Sequence, residues 1–129
     1  MRTKREKAKG RRDRGSFVRM PHAFLRHPKF AQLSPRATKL LIDLCSGYTG
    51  NNNGDFSIAW RLMSQRGWRS KQQLYKAIAE LTETGFVVKT RQGGKHKCSL
   101  YAITLWPIDE CDGKLETPAT TTASGTWKK

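Results

Sequence analysis

Acidic residues are scarce in this chain: ten Asp and Glu stand against twenty-five Lys and Arg, a formal net charge of +15 over 129 residues. An excess of that size points to a polyanionic partner, most simply nucleic acid. Long apolar runs are missing as well. No stretch approaches the length of a membrane span and the N-terminus has no hydrophobic signal core, so the chain reads as cytoplasmic, associated with the nucleoid. Cysteine is sparse, and Cys45, Cys98 and Cys111 are odd in number and widely spaced, which argues against a disulfide framework. His22, His27 and His96 have no paired spacing with any cysteine, so no zinc site and no other metal is expected. Paired carboxylates, a Ser/His/Asp set and a glycine-rich phosphate cradle are all lacking; the loop Asn51 to Gly54 matches none. The sequence therefore reads as a non-enzyme with no cofactor and no small-molecule substrate.

The positive charge is unevenly placed. Residues 1–16 hold eight basic and two acidic residues, 17–66 seven and two, 67–97 seven and two, and 98–129 three and four. Binding to an anionic membrane would need a basic helix with a large apolar face, and the basic N-terminus has almost no apolar residues. Three regions are expected: a disordered basic arm over 1–15, one folded domain over 16–107, and a flexible tail over 108–129 that is low in complexity from Thr117 to Thr126. The middle region, about ninety residues, suffices for one modest core.

Within it, Ser16 to Met20 reads as a short strand ended by Pro21, and His22 to Phe30 as one or two helical turns limited by Pro28. Ser34 is a good N-cap and Pro35 suits the first helical position, so a helix should run to about Ser46 with Ala37, Leu40, Leu41 and Leu44 inward. A loop through Gly47 and Gly50 to Gly54 leads to a short strand at Asp55-Phe56. Ser57 can cap a second helix with Ile58 and Leu62 inward, ending at Gly67. Ser70 with Gln73 fits a capping box and opens a third helix with Leu74, Ala77, Ile78 and Leu81 buried. Gly85 supplies a left-handed stop, with Phe86 folding back on Leu81. Phe86 to Gln92 and Ser99 to Trp106 read as strands joined at Gly93-Gly94, the second with Tyr101, Ile103 and Leu105 on one face until Pro107.

Helix, short strand, helix, tight turn, helix and basic-tipped hairpin is the order of an α+β winged helix-turn-helix, which puts its third helix in the major groove of DNA. The candidate recognition helix offers Arg69, Ser70, Lys71, Gln72, Gln73, Tyr75 and Lys76, residue types that pair with guanine, adenine or phosphate. No acidic residue lies between 56 and 79, whereas Glu80 and Glu83 sit toward the far end of the helix. An ordinary solvated helix face is the plain alternative, and the preceding turn favours DNA. Arg91, Lys95, His96 and Lys97 line the hairpin and suit phosphate. Arg2, Lys4, Arg5, Lys7, Lys9, Arg11, Arg12 and Arg14 form the arm, which would otherwise be a solubilising tail. Trp68 and one of Trp60 or Trp106 read as core plugs, and Cys45 as a small core residue rather than a nucleophile.

Phe17-Val18 to Pro21, His27-Pro28 to Leu33-Ser34-Pro35, and Ala37 to Leu44 followed by Gly50 to Ser57 resemble small winged-helix proteins of bacteriophages, plasmids and integrative elements. The likeness extends to the N-terminal DNA-binding domain of phage replication-protein-O-like initiators and covers roughly residues 16–107. It implies that Arg69 to Lys76 and the hairpin contact double-stranded DNA. Initiators of that type carry a further domain for helicase recruitment, so the expectation here is a transcriptional regulator of a mobile element. A replication-origin or recombination accessory factor ranks second and a basic RNA-binding protein third, since Phe86, Tyr101 and Trp106 fit a core better than an exposed platform. The sequence leaves the oligomeric state open, a homodimer included.

Overall fold

The computed structural model describes residues 15–129, which form five α-helices and one two-stranded antiparallel hairpin. In chain order these are α1 (His22–Leu25), α2 (Pro28–Ala31), α3 (Pro35–Cys45), α4 (Trp60–Met63), α5 (Lys71–Glu83), β1 (Val87–Arg91) and β2 (Leu100–Ile103). The arm residues Arg2, Lys4, Arg5, Lys7, Lys9, Arg11, Arg12 and Arg14 lie outside the described residues. Ser16 to Met20 forms no strand.

The two long helices begin at serine caps. Ser34 Oγ accepts the Ala37 N–H at 3.2 Å before α3, and Ser70 Oγ accepts the Gln73 N–H at 3.2 Å before α5. The expected capping box is only half made, because Gln73 Oε1 accepts instead from Arg36 Nη1 at 2.9 Å. At the other end of α5, Gly85 takes a φ of +85°. The Phe86 N–H reaches Leu81 O at 3.0 Å and the Gly85 N–H reaches Thr82 O at 3.3 Å, the paired bonds of a Schellman stop. Leu74, Ala77, Ile78 and Leu81 are buried against Ala37, Leu40, Leu41 and Leu44 of α3 in one apolar core.

Helix α4 departs from expectation. It starts at Trp60 rather than just after Ser57, whose Oγ accepts the Ala59 N–H at 3.1 Å in a turn before the helix. The later start changes the phase: Met63 faces the core and Leu62 is 41% exposed, not inward. Strand β2 is shorter than Ser99 to Trp106, and all four of its residues are buried. The half-buried alternation fails because both faces are covered. Phe56 exchanges backbone bonds with Tyr101 (3.2 and 2.9 Å), adding the expected short strand as a single bridge.

Residues 108–129 do not form a loose tail. The Glu116 and Thr117 N–H groups donate to Thr90 O at 2.9 and 3.2 Å, and the Gly125 N–H donates to Thr104 O at 3.2 Å. Trp127 is buried, its ring centroid 4.9 Å from that of Phe24 and 6.5 Å from that of Phe86. A single large aromatic anchors a stretch that carries no apolar period, which is why periodicity alone misses it.

Candidate nucleic-acid interface

The surface singled out by sequence is built from the turn before α5 outward. Gly67, at φ +93°, ends a 3₁₀ turn over Ser64–Arg66 and reverses the chain toward α5. Trp68 then plugs the core, and its Nε1–H donates to Asp43 Oδ2 at 2.8 Å. Asp43 is itself buried on α3. Its Oδ2 also accepts from Lys39 Nζ at 3.0 Å, and its Oδ1 accepts from Arg66 Nε and Nη2 at 3.3 and 3.1 Å. Lys39 Nζ adds a bond to Arg66 O at 2.8 Å. One carboxylate thus ties both ends of the helix-helix turn to α3 and fixes the entry of α5. Sequence reasoning did not single out Asp43; the only hint was an acid on the border of an apolar helix stripe.

Arg69, in the turn just before α5, and Lys71, Gln72, Gln73, Tyr75 and Lys76 on it are exposed, and Ser70 is half-buried as the cap. Tyr75 keeps 58% of its surface open although it is aromatic. Lys71 Nζ stands 5.9 Å from the centroid of the half-buried Trp60 ring. Arg36, through its bond to Gln73, adds a cation beside this face that sequence reasoning had not assigned. Glu80 is turned away. Its Oε1 and Oε2 accept from Ser34 Oγ and the Ser34 N–H at 2.7 and 2.8 Å, placing its charge at the N-terminus of α3.

The hairpin tip differs in detail from expectation. The turn closes between Gly94 and Lys97, with the Gly94 N–H on Lys97 O at 2.9 Å, so Lys95 and His96 occupy its apex. Gly93 is needed for another reason: a Cβ there would lie 2.5 Å from the Ser99 nitrogen. Lys95, His96 and Lys97 are exposed, but Arg91 is half-buried and bonds across the hairpin, Nη2 to Cys98 O at 2.8 Å and Nε at 3.3 Å. Arg91 therefore stiffens the hairpin and offers less of its guanidinium to a partner than the tip lysines do.

The structure brings α5 and the hairpin to a shared groove of about 260 Å³ whose lining includes Tyr75 on one side and Cys98 and Ser99 on the other. Elsewhere, burial pushes the Cys45 thiol up to about 12, as suits a core residue. Among the described residues no three His, Cys, Asp or Glu side chains gather to hold a metal ion, and no helix is long and apolar enough to cross a membrane. Comparisons with protein-family models, curated proteins and solved structures give no match.

Proposed function

We propose that this chain is a winged-helix protein that binds double-stranded DNA in a sequence-specific way, with α5 in the major groove and the hairpin as the wing on the phosphate backbone. The observation that carries the reading is the exposed N-terminal face of α5. Arg69, Lys71, Gln72, Gln73 and Lys76 stand open there, and the one nearby carboxylate on the helix, Glu80, is bonded to Ser34. Arg and Gln are the side chains that read guanine and adenine bidentately, and the N-terminal residues of a recognition helix are the ones that reach base edges. Lys95, His96 and Lys97 at the wing tip and the basic arm, Arg2 to Arg14, supply backbone contacts. The resemblance to mobile-element proteins makes transcriptional regulation of such an element the first context to examine.

Binding to duplex DNA should be tight and salt-sensitive. With about six phosphates neutralised, the log–log salt slope should be near −5. Alanine at Arg69, Gln72 or Gln73 should relax base preference at particular positions, at about 1–3 kcal/mol for a good bidentate contact. Titrations at several salt concentrations check the first, and binding matrices from random duplex DNA check the second. A slope near zero, a preference for structured RNA, or variant matrices identical to the parent would overturn the reading.

A further inference from the structure

We infer that the groove between α5 and the wing is a receptor for one unstacked nucleobase, so that the protein prefers duplex DNA carrying an extruded base; this rests on the DNA-binding reading above. Eight residues line the groove of about 260 Å³, among them the six Trp60, Tyr75, Ile78, Cys98, Ser99 and Tyr101. Three of those six are aromatic. Their states differ in a telling way: Tyr101 is 6% exposed and belongs to the core, Trp60 is half-buried, and Tyr75 is 58% exposed on the helix that faces DNA. A tyrosine that open adds nothing to the core, yet it lines the same groove as the buried Ile78 and Tyr101.

Charge selects the occupant. Lys71, one helical turn before Tyr75 and on the same side of α5, holds its ammonium 5.9 Å from the Trp60 ring centroid. On the wing side, Lys89 Nζ stands 6.0 Å from the Tyr101 ring centroid, and Arg91 is fixed to Cys98 O. Aromatic faces inside a rim of cations are the arrangement on which nucleic-acid strands stack their bases while lysines hold the phosphates. An apolar peptide would gain nothing from that rim, and a paired base could not leave its stack to reach the slot. An extruded base can, at a cost of a few kcal/mol that is least where the base is already unpaired. Ser99 is already occupied, since its Oγ accepts the Gly93 N–H at 2.8 Å and its hydroxyl bonds the Tyr101 side chain, so the groove would hold a base by its stacking face and not by its edge.

The test compares three duplexes of one sequence, using the full chain: intact, with a single bulged thymine, and with an abasic residue at the bulge. The expected result is a preference of about tenfold for the bulged thymine over the intact duplex, the ratio that a single stacking contact of about 1.4 kcal/mol produces. The abasic bulge should lose that preference. Tyr75→Ala should bring the bulged-to-intact ratio to about one, and Tyr75→Phe should keep it, since the ring and not the hydroxyl does the stacking. The ratio is the readout, so general changes in affinity cancel. Equal affinity of the parent protein for the bulged and intact duplexes, an abasic bulge bound as tightly as thymine, or a ratio that survives Tyr75→Ala would overturn the receptor while duplex binding stood. Failure to bind any of the three in a salt-dependent manner would overturn the DNA reading and the receptor with it.

Discussion

Helix α5 and the segment after Pro107 converge on the same two residues and are held there by different physics. Helix α5 ends at Gly85 and Phe86, having made its own bonds along thirteen residues and buried a continuous stripe on α3. The segment 108–129 reaches the same place with no long helix. Thr126 Oγ1 donates to Gly85 O at 2.6 Å, and Trp127 stacks on Phe86 and meets Phe24 edge-on. In α5 the free energy is spread along a stripe of buried residues, Leu74, Ala77, Ile78 and Leu81, and along the helix's own backbone bonds. In the C-terminal segment the apolar part is concentrated at one aromatic, while backbone bonds such as those of Glu116 and Thr117 to Thr90 O hold the stretch before it.

The sharpest way to test that contrast is Trp127→Ala. Removing a buried indole should cost about 3–5 kcal/mol and lower the melting temperature by on the order of 15 °C. Amide exchange should rise across the segment, including the Gly125 N–H on Thr104 O. A melting temperature within a few degrees of the parent would show that the segment is not part of the cooperative core.

A smaller effect is expected at Asp43. Lys39 and Arg66 keep 44% and 49% of their side chains exposed and can return to water, but Trp68 Nε1 cannot. Asp43→Ala should therefore cost about 1–3 kcal/mol, the penalty of one orphaned buried donor, seen as a lower denaturant midpoint. With the turn untied, base preference should weaken more than general affinity for duplex DNA. A loss of stability with an unchanged binding matrix would mean that α5 is positioned by its apolar stripe alone.

The smallest effect separates helix stability from binding. Ser70→Ala removes the cap on Gln73 N–H and should cost about 1 kcal/mol. Ser70→Asp keeps a capping oxygen and should hold stability near the parent, while setting a carboxylate on the end of α5 proposed to meet DNA, where it would repel phosphate. Thermal melts and duplex titrations of the pair check this. Equal DNA affinity in the parent and Ser70→Asp would place that end of α5 away from the backbone.

The parts legible in the sequence were those whose causes are local. Ser34 with Pro35, Ser70, the stripe from Leu74 to Leu81 and the stop at Gly85-Phe86 each act within a few residues, and each stands in the structure as expected. The exposed polar face of α5 follows directly from that stripe. Most of the misses depend on partners far along the chain. Asp43 meets Trp68 across 25 positions, Asn53 meets Ile103 across 50, and Glu80 meets Ser34 across 46. Leu62 and Met63 are neighbours of nearly equal hydrophobicity, so which one faces inward is decided by where α4 starts. Trp127 sits among Thr, Ser, Gly and Lys, a composition that ordinarily cannot fold, and only the pocket beside Phe24 gives it a reason to.

Asn53 gives the molecule a built-in record of how often it opens. Its side-chain amide is wholly buried: Oδ1 accepts the Ile103 N–H at 2.8 Å, and Nδ2 donates to Ile103 O, Trp106 O and Pro107 O at 2.9, 3.1 and 2.8 Å. The next residue is Gly54, and an asparagine followed by glycine is chemically labile, because the unhindered glycine nitrogen attacks the side-chain carbonyl and expels ammonia, leaving a cyclic imide that water opens to aspartate or isoaspartate. In the folded chain that carbonyl is clamped and out of reach, so the reaction waits for unfolding. Once it occurs, the carboxylate left at position 53 faces three carbonyl oxygens and cannot take the place of the amide. Each opening thus carries a risk of becoming permanent, and the deamidated fraction at Asn53, read by mass spectrometry of stored protein, should track the time the population has spent unfolded.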